Sequence, residues 1–184
     1  MCGIIGYAGP RNAQEVILDG LKRLEYRGYD SAGVAIVGSS LEIFKEKGEI
    51  SKLASSMPSL DGHLGVGHTR WATCGQPSKM NAHPFLDCKG RIAVVHNGII
   101  ENHQALRKRL VEEGHVFTSD TDTEVLVHGC EEWGVPALVR RLEGMFALAL
   151  LDERRGRLWL ARDRFGIKPL FYTQRDGGLW FASE

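Results

Sequence analysis

No stretch of the 184-residue chain stays apolar for long enough to cross a bilayer. Met1 leads directly into a strand-like run, with no charged leader ahead of it, so no signal peptide is expected. Neither sign of charge predominates: Lys+Arg 23 against Asp+Glu 23 gives a formal net charge of +0. That balance provides no broad electrostatic footprint for nucleic acid or a membrane surface, and neither is expected as a partner. Cysteine is scarce. Cys2, Cys74, Cys88 and Cys130 are scattered without paired spacing, which suits reduced thiols in a cytoplasmic protein. A GxxxxGK[ST] loop is missing, and Gly3, Gly6 and Gly9 lack the spacing of a dinucleotide-binding turn. His68, Cys74, His83, Cys88 and His96 show neither C-x2-C nor HExxH spacing, so no metal and no cofactor is expected. With no internal repeat and no low-complexity linker, residues 1–184 are expected to form one domain.

What is present is an ordinary globular composition, 43% hydrophobic and 25% charged. Residues Gly3 to Tyr7 form a short apolar run, broken at Ala8-Gly9-Pro10, which predicts a buried strand. Asn12 with Glu15 three residues on predicts a capped helix start, and Val16, Ile17, Leu21 and Leu24 share one face of that helix. Residues 32–37 and 41–47 predict a hairpin, followed by a short helix over 49–56. A strand over 63–69 leads into a long ordered loop over 70–84. A β-rich run over 91–96 is expected to stop at Asn97-Gly98. Asn102 is expected to cap a helix to about Glu113, and Thr121-Asp122-Thr123-Glu124 reads as a capping box for a helix to about Trp133. A short helix over 135–142 and four strands complete the chain. Strands grouped at both ends with helices between them predict an α+β layered sandwich.

Four features bear on chemistry. Met1 precedes a small residue, where methionine is usually removed, so the mature chain would begin at Cys2. A thiol and an α-amine on one residue, with ordinary pKa values of about 8.5 and 7.7–8.0, make a nucleophile and its base. Asn97-Gly98 offers a side-chain N–H and a backbone N–H for a developing oxyanion, although Asn-Gly is also a common turn dipeptide. Arg70 offers a planar fork for a carboxylate, and Trp71 an apolar cover beside it; a surface Arg beside a core Trp is the plainer alternative. Asp122 suits a substrate ammonium, but an Asp in a first helical turn is favoured by the helix dipole alone. Arg70 and Asp122 together match the charged ends of an α-amino acid. His83, between Ala82 and Pro84, braces the loop or lines a pocket.

The motifs resemble those of class II glutamine amidotransferase domains, which have the N-terminal-nucleophile (Ntn) hydrolase fold. The matching stretches are Cys2-Gly-Ile-Ile-Gly-Tyr7, Leu24-Glu-Tyr-Arg-Gly-Tyr-Asp-Ser-Ala-Gly33, Gly67-His-Thr-Arg-Trp-Ala-Thr73, Asn81-Ala-His-Pro84, Val94-Val-His-Asn-Gly-Ile-Ile-Glu-Asn102 and Thr121-Asp-Thr-Glu124. The first two-thirds are most similar to the glutaminase domains of glutamine:fructose-6-phosphate amidotransferases. The tail, Ala161-Arg-Asp-Arg-Phe-Gly-Ile-Lys-Pro-Leu-Phe-Tyr172 with Phe181-Ala-Ser-Glu184, resembles asparagine synthetases instead. The resemblance implies a four-layer αββα sandwich. It implies L-glutamine as substrate, Cys2 as nucleophile, and Asn97 and Gly98 as the oxyanion hole. Arg70 and Thr73 would hold the α-carboxylate, Asp122 the ammonium, and Trp71 would shield the site. Arg27 would support the nucleophile. Cys74 departs from the His usual in the sugar-phosphate enzymes. The resemblance further implies a synthase domain or subunit that receives the ammonia, with a non-catalytic glutamine-binding or partner-dependent subunit as the alternative.

Overall fold

The computed structural model describes residues 2–73 and 75–184. Two antiparallel sheets form the centre. The first has six strands in the order β3-β2-β4-β1-β10-β9, built from β1 (Gly3–Ala8), β2 (Ser31–Val37), β3 (Leu41–Lys47), β4 (Leu64–Arg70), β9 (Phe171–Arg175) and β10 (Gly178–Ala182). The second has the order β5-β6-β7-β8, from β5 (Phe85–Leu86), β6 (Ile92–Ile100), β7 (Gly144–Asp152) and β8 (Arg157–Arg162). Helices α1 (Ala13–Leu24) and α2 (Ile50–Ser56) pack outside the first sheet. Helices α3 (His103–Glu112), α4 (Glu124–Trp133) and α5 (Val135–Arg141) pack outside the second.

The layer order follows from side-chain alternation along the strands. On β1, Ile5 and Tyr7 face α1, whereas Ile4 faces the opposite sheet. On β6, Ile92 and Val94 face the helices and Ala93 and Val95 face inward. On β7, Leu148 and Leu150 face the helices and Ala149 and Leu151 face inward. Strands buried on both faces read as continuous apolar runs. Three apolar layers therefore alternate with helix, sheet, sheet and helix, which is the expected αββα sandwich. Close approach is enforced at Gly6, where a Cβ would sit 2.0 Å from the Phe181 ring. No helix among the described residues is long and apolar enough to cross a membrane.

Several local expectations need correction. Asn12 does cap α1, accepting the Glu15 N–H at 3.2 Å. Asn102 does not cap α3 with its side chain. Its amide instead clamps the chain after α5, donating to the Arg141 carbonyl at 2.8 Å and accepting the Glu143 N–H at 3.2 Å. The expected capping box is absent as well. α4 starts at Glu124, and that carboxylate accepts the N–H and hydroxyl groups of Thr118 and Ser119 at 2.7–3.0 Å. Finally, β6 does not stop at Asn97-Gly98. It runs through to Ile100, with Asn97 opposite Ala147 and Gly98 opposite Phe146.

Candidate active site

Cys2 stands immediately before β1, whose first residue, Gly3, pairs with Thr69 of β4. The Gly3 N–H donates to the Thr69 hydroxyl at 3.1 Å, and a Cβ on Gly3 would lie 2.7 Å from that oxygen. The thiol is held by the main chain of the residue after β4. The Trp71 N–H lies 3.4 Å from Cys2 Sγ, and Sγ lies 3.5 Å from the Trp71 carbonyl. Behind it, Arg27 Nε donates to the Cys2 carbonyl at 3.3 Å, while its Nη1 pairs with Glu184 at 3.1 Å. Tyr26 donates to the same Glu184 carboxylate. The guanidinium thus joins the residue ahead of β1 to Glu184, two residues beyond β10. Burial pushes the Cys2 thiol above its ordinary pKa, and the Trp71 N–H and the positive charges of Arg70 and Lys168 only partly offset that rise.

Most of the predicted residues converge here. One narrow cavity is lined by Cys2, Arg70, Trp71, Thr73, His83, Gly98 and Asp122, among others. A second, of about 230 Å³, shares Cys2, Trp71, Thr73 and Gly98 with the first and adds Asn97 and Lys168. Arg27 lines neither. Arg70 is buried, its guanidinium donating to the carbonyls of Gly75 at 3.0 Å and Gln76 at 3.4 Å. Asp122, also buried, accepts the Ile100 N–H at 2.8 Å, which aims the carboxylate. Asn97 Nδ2 is a buried donor with no hydrogen-bond partner among the described residues. Unsatisfied buried donors are costly and are retained where a ligand completes them. Gly98 has φ 153, and a Cβ there would lie 2.0 Å from the Met145 carbonyl, so only glycine fits. Trp71 is exposed and stands edge-on to Tyr29 at 5.6 Å. Cys74 lies outside the described residues.

His83 lines the cavity, but both its ring nitrogens are engaged within the protein. Nδ1 accepts the His96 N–H at 3.2 Å and Nε2 lies 3.3 Å from the Thr123 hydroxyl, which in turn reaches His96 Nδ1 at 3.0 Å. The ring stacks on His68 at 3.9 Å, and His68 Nε2 lies 2.9 Å from the His96 carbonyl. Burial drives all three imidazoles to lower pKa, His68 to about 3. They are neutral braces between the sheets, which accounts for three of the five residues considered for a metal. Two participants were not anticipated. The main chain of Trp71 carries no residue-type signal. Lys168 belongs to a tail motif quoted above, but its contact with the site depends on a loop anchored by Asp163, which accepts the N–H groups of Phe146, Phe165, Ile167 and Lys168.

An αββα sandwich with a thiol at the head of an inner strand, beside a cation, a carboxylate and an unpaired amide donor, has the architecture of the N-terminal-nucleophile hydrolases. Residues 56–184 match the glutamine amidotransferase domain family, and the chain belongs to that family. Glutamine–fructose-6-phosphate aminotransferase (isomerizing) of Pyrococcus horikoshii is 48% identical over 197 aligned positions, covering 100% of this chain and 32% of the relative. The Symbiobacterium thermophilum enzyme of the same name is 52% identical over 194 positions, with the same coverage. The chain therefore spans about a third of the length of these curated relatives. Among solved structures, glutamine phosphoribosylpyrophosphate amidotransferase from B. subtilis, complexed with ADP and GMP, superposes with TM-score 0.87 at 27% identity, covering 100% of this chain and 42% of that one.

Proposed function

We propose that the chain hydrolyses the side-chain amide of L-glutamine through Cys2 and passes the ammonia to a synthase domain or subunit. The observation that carries this reading is the set of groups around one thiol: Arg70 and Asp122 in the same cavity, and Asn97 with its unpaired amide donor in the adjoining one. Removal of Met1 would free the α-amine of Cys2. A thiol raised by burial needs such a base. The amine takes the thiol proton as Sγ bonds to the amide carbon. The resulting oxyanion is held by Asn97 Nδ2 and the Gly98 N–H. The ammonium of Cys2 then protonates the departing nitrogen, and ammonia leaves. Water attacks the γ-glutamyl thioester, releasing glutamate and restoring the thiol. Arg70 and Thr73 take the substrate α-carboxylate, Asp122 its α-ammonium, and Trp71 covers the site. Arg27 holds the main chain of Cys2 in place, and His83 holds the cavity wall. The relatives are glutamine–fructose-6-phosphate aminotransferases, which supports fructose 6-phosphate as the acceptor in a synthase portion. The unpaired thiols of Cys2, Cys88 and Cys130 support a cytoplasmic setting.

Glutamate release by the chain and by Cys2→Ala is the test. Activity is expected to fall to background in the variant, and an electrophilic glutamine analogue is expected to add its mass at Cys2 only in the parent. Equal glutamate release by both chains would overturn the assignment.

A further inference from the structure

On the far side of the second sheet, four residues from three segments converge. Cys88 follows β5. His115 lies in the turn after α3, its N–H donating to the Leu110 carbonyl at 3.0 Å. His128 and Glu131 lie on α4, three residues apart, and so share a face. Their ligand atoms all lie within 4.8 Å of one another. Cys88 Sγ is 3.5 Å from His115 Nδ1 and 3.6 Å from His128 Nδ1, and His115 Nδ1 is 3.5 Å from Glu131 Oε2. A tetrahedral zinc ion with bonds of about 2.0–2.3 Å puts neighbouring ligand atoms roughly 3.3–3.7 Å apart. Both imidazoles are buried.

A carboxylate stands behind each imidazole. His115 Nε2 is 3.2 Å from the Glu132 carboxylate, and His128 Nε2 is 3.6 Å from that of Glu124. His128 Nε2 makes no hydrogen bond among the described residues at that separation. Carboxylates facing both outer nitrogens favour the tautomers with the proton on Nε2, as in carboxylate–histidine–zinc arrangements. Both Nδ1 lone pairs then point at Cys88 Sγ, and one S–H can satisfy only one of them. Two imidazole lone pairs, a thiol and a carboxylate oxygen converging on one point suit a divalent cation. We propose that Cys88, His115, His128 and Glu131 form a closed, structural site for a zinc-class divalent metal. The mixed S, N and O set selects zinc or cobalt over magnesium or calcium. Binding displaces the Cys88 proton to solvent, so thiolate and carboxylate together neutralise the ion. Cys88 is solvent-exposed and, with His128, borders a cavity of about 620 Å³, which provides the entry path. Lys89 pairs with the other Glu131 oxygen, Oε1, at 3.2 Å and leaves Oε2 facing the site.

The test uses the whole 184-residue chain, stripped by chelator, kept reduced, and titrated with Zn(II) or Co(II) alone. One equivalent is expected to bind, with tetrahedral Co(II) absorption, a thiolate-to-cobalt charge-transfer band and a higher melting temperature. Cys88→Ser, a near-isosteric change at an exposed residue, should abolish the charge-transfer band and weaken binding by more than about 100-fold. Glu132→Gln should weaken it about 10-fold. Cys2→Ser should leave both intact, which separates this site from the nucleophile. Absence of stoichiometric binding, or a band that survives Cys88→Ser and disappears in Cys2→Ser, would overturn the proposal. Glutaminase activity does not enter the readout.

Discussion

Asn97 and Cys2 answer to different physical demands. Asn97 carries a buried amide donor that nothing else satisfies among the described residues, and the proposed reaction gives it an oxyanion to bind. Asn97→Ala is expected to lower kcat for glutamate release about 10²–10³-fold with little change in KM, the signature of a donor used only in the transition state. A comparable rise in KM would instead mark a ground-state contact. Cys2 is limited by burial, which raises its thiol. Its alkylation by iodoacetamide should therefore keep accelerating with pH beyond about 9.5, one unit above the ordinary thiol pKa of about 8.5, where a free cysteine has levelled off. A plateau below that pH would show a thiolate already stabilised in the resting site.

The start of α4 shows how an element carries the site. Asp122 and Thr123, which precede its first turn, face the cavity, and the loop before them is held by Glu124. Burial raises the Glu124 carboxyl, but the hydrogen bonds from Thr118 and Ser119 outweigh that cost and hold it down to about 2. A depressed carboxylate contributes stability that is complete above its unfolded pKa of about 4.5 and is lost as pH falls towards about 2. Glu124→Gln keeps the shape but loses acceptors. It should cost about 2–3 kcal/mol at neutral pH, or roughly 4–10 °C in melting temperature. The gap between parent and variant should close below about pH 4. A constant gap down to pH 2 would mean the carboxylate charge is irrelevant. The sequence shows Glu124 near a helix start but not what it binds. A capping box and a loop clamp contain the same residue types, and the backbone path of residues 118–121 decides between them.

At the scale of the whole molecule, the stacked His68, His83 and His96 join the two sheets in the buried layer between them. Their pKa values are lowered by burial, so the unfolded chain takes up protons below about pH 6.5 that the folded chain refuses. The linkage sign makes stability fall with acid, by up to about 1.4 kcal/mol per pH unit for each imidazole that stays neutral in the folded chain, His68 first among them. The urea midpoint should fall steadily from pH 6.5 to 5, and proton uptake on unfolding should rise over the same range. An unchanged midpoint over that range would show that the trio is charged in the native state.

The sequence by itself determined the local periods and the inventory of chemistry: which segments alternate, which are helical, and which residue types a thiol-based amidohydrolase needs. Periodicity is a property of neighbours, so it survives being read without the fold. Only the tertiary structure decided that β6 continues through Asn97-Gly98, because pairing with β7 overrides a turn-prone dipeptide. It also decided that residues 2, 70, 98 and 122 meet, and that β10 lies beside β1 with Ile5 opposite Ala182. The gathering of residues 88, 115, 128 and 131 was hidden for the same reason: no short spacing links them. Contacts across such separations depend on how layers stack, and layer stacking is set by burial summed over the whole chain rather than by any one motif.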